Sequence, residues 1–228
     1  MRLAIFDLDD TLIDGDSASL FCRFLVEQGL ADVELLAQEA RLMRDYANGS
    51  LDMAAYIRLM TAPIRQMKPD ELEALTHRFV CNQIVHRHYP QARQRLQEHR
   101  EAGDLCLIVS ATAEFIVRPV ADTLAVEHVL AIELERDAQG CLSGKIKGIP
   151  SFREGKVQRL QDWLSELGQT PEELLFYSDS SNDLPLLEWA DRPHVVNPDP
   201  KLSALARQRG WPVLHWMRAN DSQSPKTH

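Results

Sequence analysis

The chain has 228 residues, 44% hydrophobic and 26% charged, and its 25 Lys and Arg against 34 Asp and Glu give a formal net charge of −9. That composition belongs to a globular protein with a sizeable core, built as one large domain or as one domain carrying an insertion, rather than to a disordered or fibrous chain. The acidic balance argues against a nucleic-acid-binding surface, and apolar stretches such as Leu105 to Val109 fall far short of the roughly 18 residues that cross a bilayer, so neither nucleic acid nor membrane is an expected partner.

At the N-terminus, Leu3-Ala4-Ile5-Phe6 reads as a buried strand of a parallel sheet, and the carboxylates Asp7, Asp9 and Asp10 follow too early for a signal peptide. A cytoplasmic location is therefore expected. The four cysteines, Cys22, Cys81, Cys106 and Cys141, are scattered with no metal-ligand spacing and read as reduced thiols. From Ser17 to Tyr89 the spacing becomes helical, clearest at Val33, Leu36, Ala37, Ala40 and Met43 and around Leu72, Leu75, Phe79 and Ile84. Asn48-Gly49-Ser50 and Ala62-Pro63 punctuate it, which predicts an insertion of about four helices. His86 and His88 within it read as a surface pair.

A helix over Gln91 to Ala102 precedes a second strand at Leu105 to Val109, and Ser110-Ala111-Thr112 then reads as the start of a helix. A third strand at Val129 to Ile132 leads into a hairpin turning at Asp137 to Gly140. Val157, Leu160, Leu164 and Leu167 give a helix stopped by Gly168, and Thr170-Pro171-Glu172-Glu173 has the pattern of a capping box opening one helical turn. Leu174 to Tyr177 is the fourth strand, ending in the polar run from Ser178 to Asp183. His194 to Val196 is a fifth strand, Trp211 to Leu214 a short edge segment, and residues 220–228 a frayed polar tail. The fold class is α/β: an open, mostly parallel sheet with helices on both faces and an all-helical insertion after the first strand. The expected domains are a core of residues 1–15 and 90–220, an insertion of residues 16–89 and a flexible tail of residues 221–228.

In such a sheet ligands bind beyond the carboxyl ends of the strands, where Asp7 to Asp10, Ser110 to Thr112 and Ser178 to Asp183 should converge. Asp7 and Asp9, two apart in an extended segment, face one pocket, and Asp179 would add a third carboxylate. That concentration of negative charge calls for a hard cation, with Mg²⁺ the natural candidate because it accepts one or two carboxylates plus substrate phosphate oxygens. Ser110 and Lys156, placed near helix starts, favour an anion. Together they describe phosphoryl transfer, with Asp7 as nucleophile and Asp9 as acid and base. Taken singly, each signal has a plainer reading: a solvated turn for Asp7 to Asp9, a helix cap for Ser110, a surface lysine for Lys156, an Asx turn for Asp179 to Asp183. Their order and their placement at strand ends favour the site.

These residues resemble the haloacid dehalogenase superfamily. Asp7-Leu8-Asp9-Asp10-Thr11-Leu12 matches its Asp-x-Asp-x-Thr motif, Ser110 its second motif, Lys156 its third, and Ser178 to Pro185 its acidic fourth. The resemblance implies a Mg²⁺-dependent phosphatase acting on a small phosphorylated metabolite through an aspartyl phosphate. Asp7, the Asp9 carbonyl and Asp179 would hold the metal; Ser110, Ala111 and Lys156 would bind phosphate; Asn182 and Asp183 would lie behind these, Asp183 orienting Lys156 or a metal-bound water. The position of the insertion looks like the subgroup containing phosphoserine phosphatase and a class of histidinol-phosphate phosphatases, which makes the insertion a cap. Asp16 then sits where those enzymes receive a substrate amine, Arg58 is the nearest equivalent of a cap arginine that receives a carboxylate, and Tyr177-Ser178-Asp179-Ser180 is closer to the histidinol-phosphate class. A phosphotransferase on the same scaffold and a phosphometabolite-binding protein without turnover are the competing readings.

Overall fold

A computed structural model describes residues 1–218. Its centre is β1, Arg2–Phe6, a run so apolar that only both-sided burial accommodates it: Leu3 to Phe6 are fully buried. It lies in a six-stranded, wholly parallel sheet with β2 (Leu105–Ala113), β3 (His128–Ile132), β6 (Glu173–Ser178), β7 (Arg192–Val196) and β8 (Val213–Leu214), ordered β3-β2-β1-β6-β7-β8. The strand order reverses at β1, the topological switch point where open α/β sheets bind ligands. β4 (Leu134–Arg136) and β5 (Leu142–Ile146) form the expected antiparallel hairpin, its turn fixed by the Asp137 carboxylate accepting from the N–H groups of Gln139 and Cys141, each at 2.9 Å.

Alternation along the strands divides the core. Leu3, Ile5, Leu107, Val109, Phe176 and Val195 pack on one face with α7 (Glu154–Leu167), α8 (Leu184–Trp189) and α9 (Pro200–Arg209). Ala4, Phe6, Ile108 and Tyr177 pack on the other with α5 (Pro90–Glu101) and α6 (Glu114–Thr123). Between β1 and α5 the chain makes four α-helices, α1 (Ser17–Glu27), α2 (Glu34–Ala47), α3 (Met53–Thr61) and α4 (Pro69–Phe79), followed by short π-helical and 3-10 turns at 80–87. Their apolar faces, with Phe21, Phe24, Ile57 and Phe79 at 2% exposure or less, join the hydrophobic cluster of the α5 side, so the insertion shares a core with the sheet.

Three local expectations are corrected. The capping-box pattern at Thr170 does not open a helix: the Glu172 side chain accepts from the N-terminal ammonium at 2.7 Å, its N–H donates to the Met1 carbonyl, and Glu173 pairs with Arg2 as the first residue of β6. Strand β2 does not end at Val109 but runs to Ala113, so Ser110 stands within a strand whose register shifts between Val109 and Ala113, and α6 starts only at Glu114. His88 is buried, packed between Arg93 and Thr123, with Nδ1 at 2.7 Å from Arg93; burial and that neighbour push it down to about 4. The polar tail lies outside the described residues, among which no helix is long and apolar enough to cross a membrane.

Candidate active site

Asp7 is the first residue beyond β1, and its N–H donates to the Tyr177 carbonyl at 2.9 Å, carrying the β1–β6 ladder one step past the strand end. The residue is 7% exposed, and its carboxylate accepts from Lys156 Nζ at 2.7 Å. The same ammonium donates at 2.7 Å to Asp183 Oδ2, which also accepts from the Ser178 hydroxyl at 2.8 Å. A lone lysine in the first turn of a helix belongs at the surface, yet Lys156 is 1% exposed, because two carboxylates flank it. The loop before α7 puts it there. Ser151 Oγ donates to the Ser110 carbonyl at 2.6 Å, and Gly155 packs against the Pro150 carbonyl so closely that a β-carbon would lie 2.1 Å from that oxygen. Only glycine allows the loop to fold back and set Lys156 beneath Asp7.

Asp9 hangs from the turn after β1: Oδ1 accepts from the Ser17 N–H at 2.7 Å and Oδ2 from the Thr112 hydroxyl at 2.9 Å. Asp179, one residue past β6, exchanges hydrogen bonds with Thr11, its N–H donating to Oγ1 at 3.1 Å and its Oδ1 accepting from that hydroxyl at 3.2 Å. Asp7, Asp9 and Asp179, with Asp10 and Asp16, line one cleft of about 210 Å³. Ala111 and Thr112 also line it, whereas Ser110 is fully buried with its hydroxyl accepting from the Thr112 N–H at 3.1 Å.

Crowding sets the charge states. Burial pushes Asp7 up to about 7, with Lys156 pulling the other way and Asp183 adding to the rise. Burial, then Asp16 and Asp7, hold Asp9 well above the usual carboxylate range, and burial, then Asp7, Asp10 and Asp183, do the same for Asp179. Against the cost of burial, Asp183 and Asp7 keep the Lys156 ammonium above the ordinary lysine range, so it remains a cation. With Lys156 committed to Asp7 and Asp183, the cleft has an excess of carboxylate. Among the described residues no three His, Cys, Asp or Glu side chains form a ready cage for a metal. That donor set, two carboxylates opening on a cleft, fits a hard divalent cation that keeps water and takes further oxygens from a ligand. Asp7 and Asp179 are the side chains that would hold it.

The opposite wall comes from the insertion: Met43 and Tyr46 of α2, Leu51, and Met53 and Tyr56 of α3. Two hydrogen bonds tie this wall to the sheet side, from Asn182 Nδ2 to the Tyr46 carbonyl at 3.0 Å and from Arg153 Nη1 to the Gly49 carbonyl at 2.8 Å. Asp16 does two things at once. It caps α1, accepting from the Ser19 N–H at 2.7 Å, and it faces the cleft. Arg58 is not brought to the cleft. It is exposed on α3, two residues from Tyr56 and hence roughly 200° around the helix from a residue that does line it. Among the described residues that line the cleft there is no Lys, Arg or His.

Sequence reasoning did not single out Thr112, Ser178, Arg153, Tyr46 or Tyr56. Thr112 and Ser178 sit inside motifs already quoted, where a hydroxyl beside each carboxylate is the available signal. The other three depend on which way the insertion's helices face, which the helical spacing alone leaves open.

A family model of the haloacid dehalogenase-like hydrolases matches residues 4–188, a span from β1 through α8 that holds Asp7, Asp9, Ser110, Lys156 and Asp179. The chain is a haloacid dehalogenase-like hydrolase. It is 40% identical over 219 residues to a histidinol-phosphatase of Neisseria meningitidis serogroup C (strain 8013), covering 94% of this chain and 99% of that one. Among solved structures it is similar to a protein of unknown function from Bordetella pertussis Tohama I, with a TM-score of 0.85 and 39% identity over 93% of this chain and 97% of the other. A phospho-aspartyl intermediate analogue of phosphoserine phosphatase shares the fold at a TM-score of 0.67 and 17% identity, covering 96% and 95% of the two chains. This hydrolase is thus an enzyme of the phosphatase type.

Proposed function

We propose that this haloacid dehalogenase-like hydrolase is a Mg²⁺-dependent phosphomonoesterase working through an aspartyl phosphate on Asp7, and that its substrate is a small phosphomonoester whose leaving group carries a cationic nitrogen, histidinol phosphate fitting best. The observation that carries the substrate class is the character of the cleft wall. Asp16 supplies negative charge, Met43, Leu51 and Met53 supply apolar surface, and no cation among the described lining residues could receive a carboxylate. A buried carboxylate without a partner costs heavily, so phosphoserine is disfavoured and a cationic, flat or apolar group favoured. The identity to the Neisseria histidinol-phosphatase supports the same substrate. Four unpaired cysteines accord with a cytoplasmic enzyme.

Residues 16–89 act as a cap over the carboxyl edge of the sheet, excluding water while the leaving group is held. An Asp7 carboxylate oxygen bonds to phosphorus as the ester P–O bond breaks, and Asp9, whose burial beside Asp16 and Asp7 favours its protonated form, delivers its proton to the departing alkoxide. Asp9 then takes a proton from water, whose oxygen bonds to phosphorus as the bond to Asp7 breaks, releasing phosphate. Lys156, fixed by Asp183, favours the ionised form of Asp7 against the cost of burial and faces the developing charge, while Thr112 and the Ser17 N–H hold the Asp9 carboxyl in place. Mg²⁺, when bound, offsets the repulsion between carboxylate nucleophile and phosphate dianion.

The reading is tested by assaying histidinol phosphate, phosphoserine and an uncharged alkyl phosphate with Mg²⁺ and with EDTA. Hydrolysis is expected to require Mg²⁺ and to favour histidinol phosphate over phosphoserine by at least about 100-fold in kcat/KM, the scale for a site that leaves a substrate charge unpaired. Equal rates on all three would overturn the substrate assignment, and full activity in EDTA the metal requirement.

A further inference from the structure

One polar group in the cleft has no use within the fold. Tyr56, on α3, is 5% exposed and lines the cleft, yet its hydroxyl makes no hydrogen bond in the protein. Buried hydroxyls are normally paired, and one left open in a cleft wall marks a place where a ligand completes the bond. What faces it is consistently acidic. Asp16, Glu39 and Asp9 are the carboxylates around it, and burial with those charges holds the phenol well above its usual range, so it keeps its proton. The arrangement is braced from behind. Ser19 donates its N–H to Asp16 and its hydroxyl to Glu39, a carboxylate of α2 that is only 7% exposed. Tyr56 therefore presents an unused oxygen lone pair in a negative field, on the insertion side of the cleft, beside the carboxylate that would accompany a cation.

We propose that Tyr56 is a specificity-determining residue of this enzyme, its hydroxyl oxygen accepting a hydrogen bond from the cationic nitrogen of the leaving group while Asp16 supplies the counter-charge. The inference rests on the phosphomonoesterase reading and deepens it, because it assigns the residue that recognises the alcohol half of the substrate rather than the phosphate. A carboxylate alone attracts any cation. A phenol oxygen at a fixed position adds direction, and it rejects a substrate of the same size that lacks the N–H, since the hydroxyl is then left unpaired again.

The test is Tyr56→Phe, which removes one oxygen and keeps the ring. The quantity read is the ratio of kcat/KM for histidinol phosphate to that for p-nitrophenyl phosphate, with Mg²⁺ present. The ratio is expected to fall by roughly 10- to 100-fold, the range for a hydrogen bond to a charged group, with the change in KM for histidinol phosphate and a parallel weakening of inhibition by free histidinol. Because the hydroxyl has no partner in the fold, the variant should melt no lower than the parent. An unchanged ratio, or a ratio that falls only alongside a lowered melting temperature, would overturn the assignment of Tyr56. Failure of the parent enzyme to hydrolyse any cationic phosphomonoester would instead overturn the functional reading beneath it.

Discussion

Asp7→Asn should lower turnover of histidinol phosphate and of p-nitrophenyl phosphate by at least about 10³-fold, the scale on which removal of a covalent nucleophile is felt. The substitution is nearly isosteric. The amide oxygen can still accept from Lys156 Nζ, and the N–H bond from residue 7 to the Tyr177 carbonyl does not involve the side chain. Folding should therefore survive, and chemical denaturation of the variant should remain cooperative. What is lost is a carboxylate able to bond to phosphorus. Undiminished, Mg²⁺-stimulated hydrolysis of p-nitrophenyl phosphate by the variant would reject Asp7 as the nucleophile.

Lys156→Met should do two kinds of damage. Activity should disappear, because the cation beneath Asp7 is gone. Stability should fall by about 3–5 kcal/mol at neutral pH, the cost of removing one partner from a buried ion pair. Asp7 and Asp183, 7% and 2% exposed, would face each other without the ammonium that donates to both. The sign of the pH dependence follows. Even with Lys156 present, burial raises Asp7 from 3.8 to about 7, and without it the rise is larger. A carboxyl whose folded pKa exceeds its unfolded value binds more protons when folded, so stability drops as pH climbs from near the unfolded pKa through the folded one. The part of the gap between variant and parent that comes from Asp7 should be small below about pH 7, where Asp7 is protonated in both folded states, and widen as the pH climbs above about 7, measured by urea unfolding on both sides of that value. A gap that stays below about 1 kcal/mol at neutral pH would mean that the two carboxylates are not ion-paired in the parent.

The sheet was legible because its strands are short apolar runs bounded by turn formers: Leu3 to Phe6, Leu105 to Val109 and Leu174 to Tyr177 each appear as strands at or near the expected residues. The hairpin turn at Asp137 to Gly140 and the Gly168 stop, in the left-handed conformation at φ 64°, were legible from local chemistry for the same reason. Misreadings arose where a distant partner decides. Glu172 and Glu173 have the pattern of a helix start, but the N-terminus and Arg2 claim them for a strand. His88 looks like a polar surface residue until Arg93 and Thr123 close over it. In the site, Asp7, Asp9 and Asp179 could be placed in one pocket because strand ends of a parallel sheet share an edge. The insertion offers no such rule. Helical spacing in the insertion does not say which face turns to the cleft, so the resemblance put Arg58 there and left Tyr56 out, although the two stand on one helix two residues apart.

The covalent step on Asp7 is open to direct observation. Enzyme mixed with histidinol phosphate and Mg²⁺, quenched in acid during turnover and digested, should yield one phosphorylated peptide, the one containing Asp7, with the label absent from Asp7→Asn and released by hydroxylamine as an acyl phosphate must be. Sustained turnover with no phosphorylated peptide, or with phosphate carried on any other residue, would contradict a mechanism in which Asp7 attacks phosphorus.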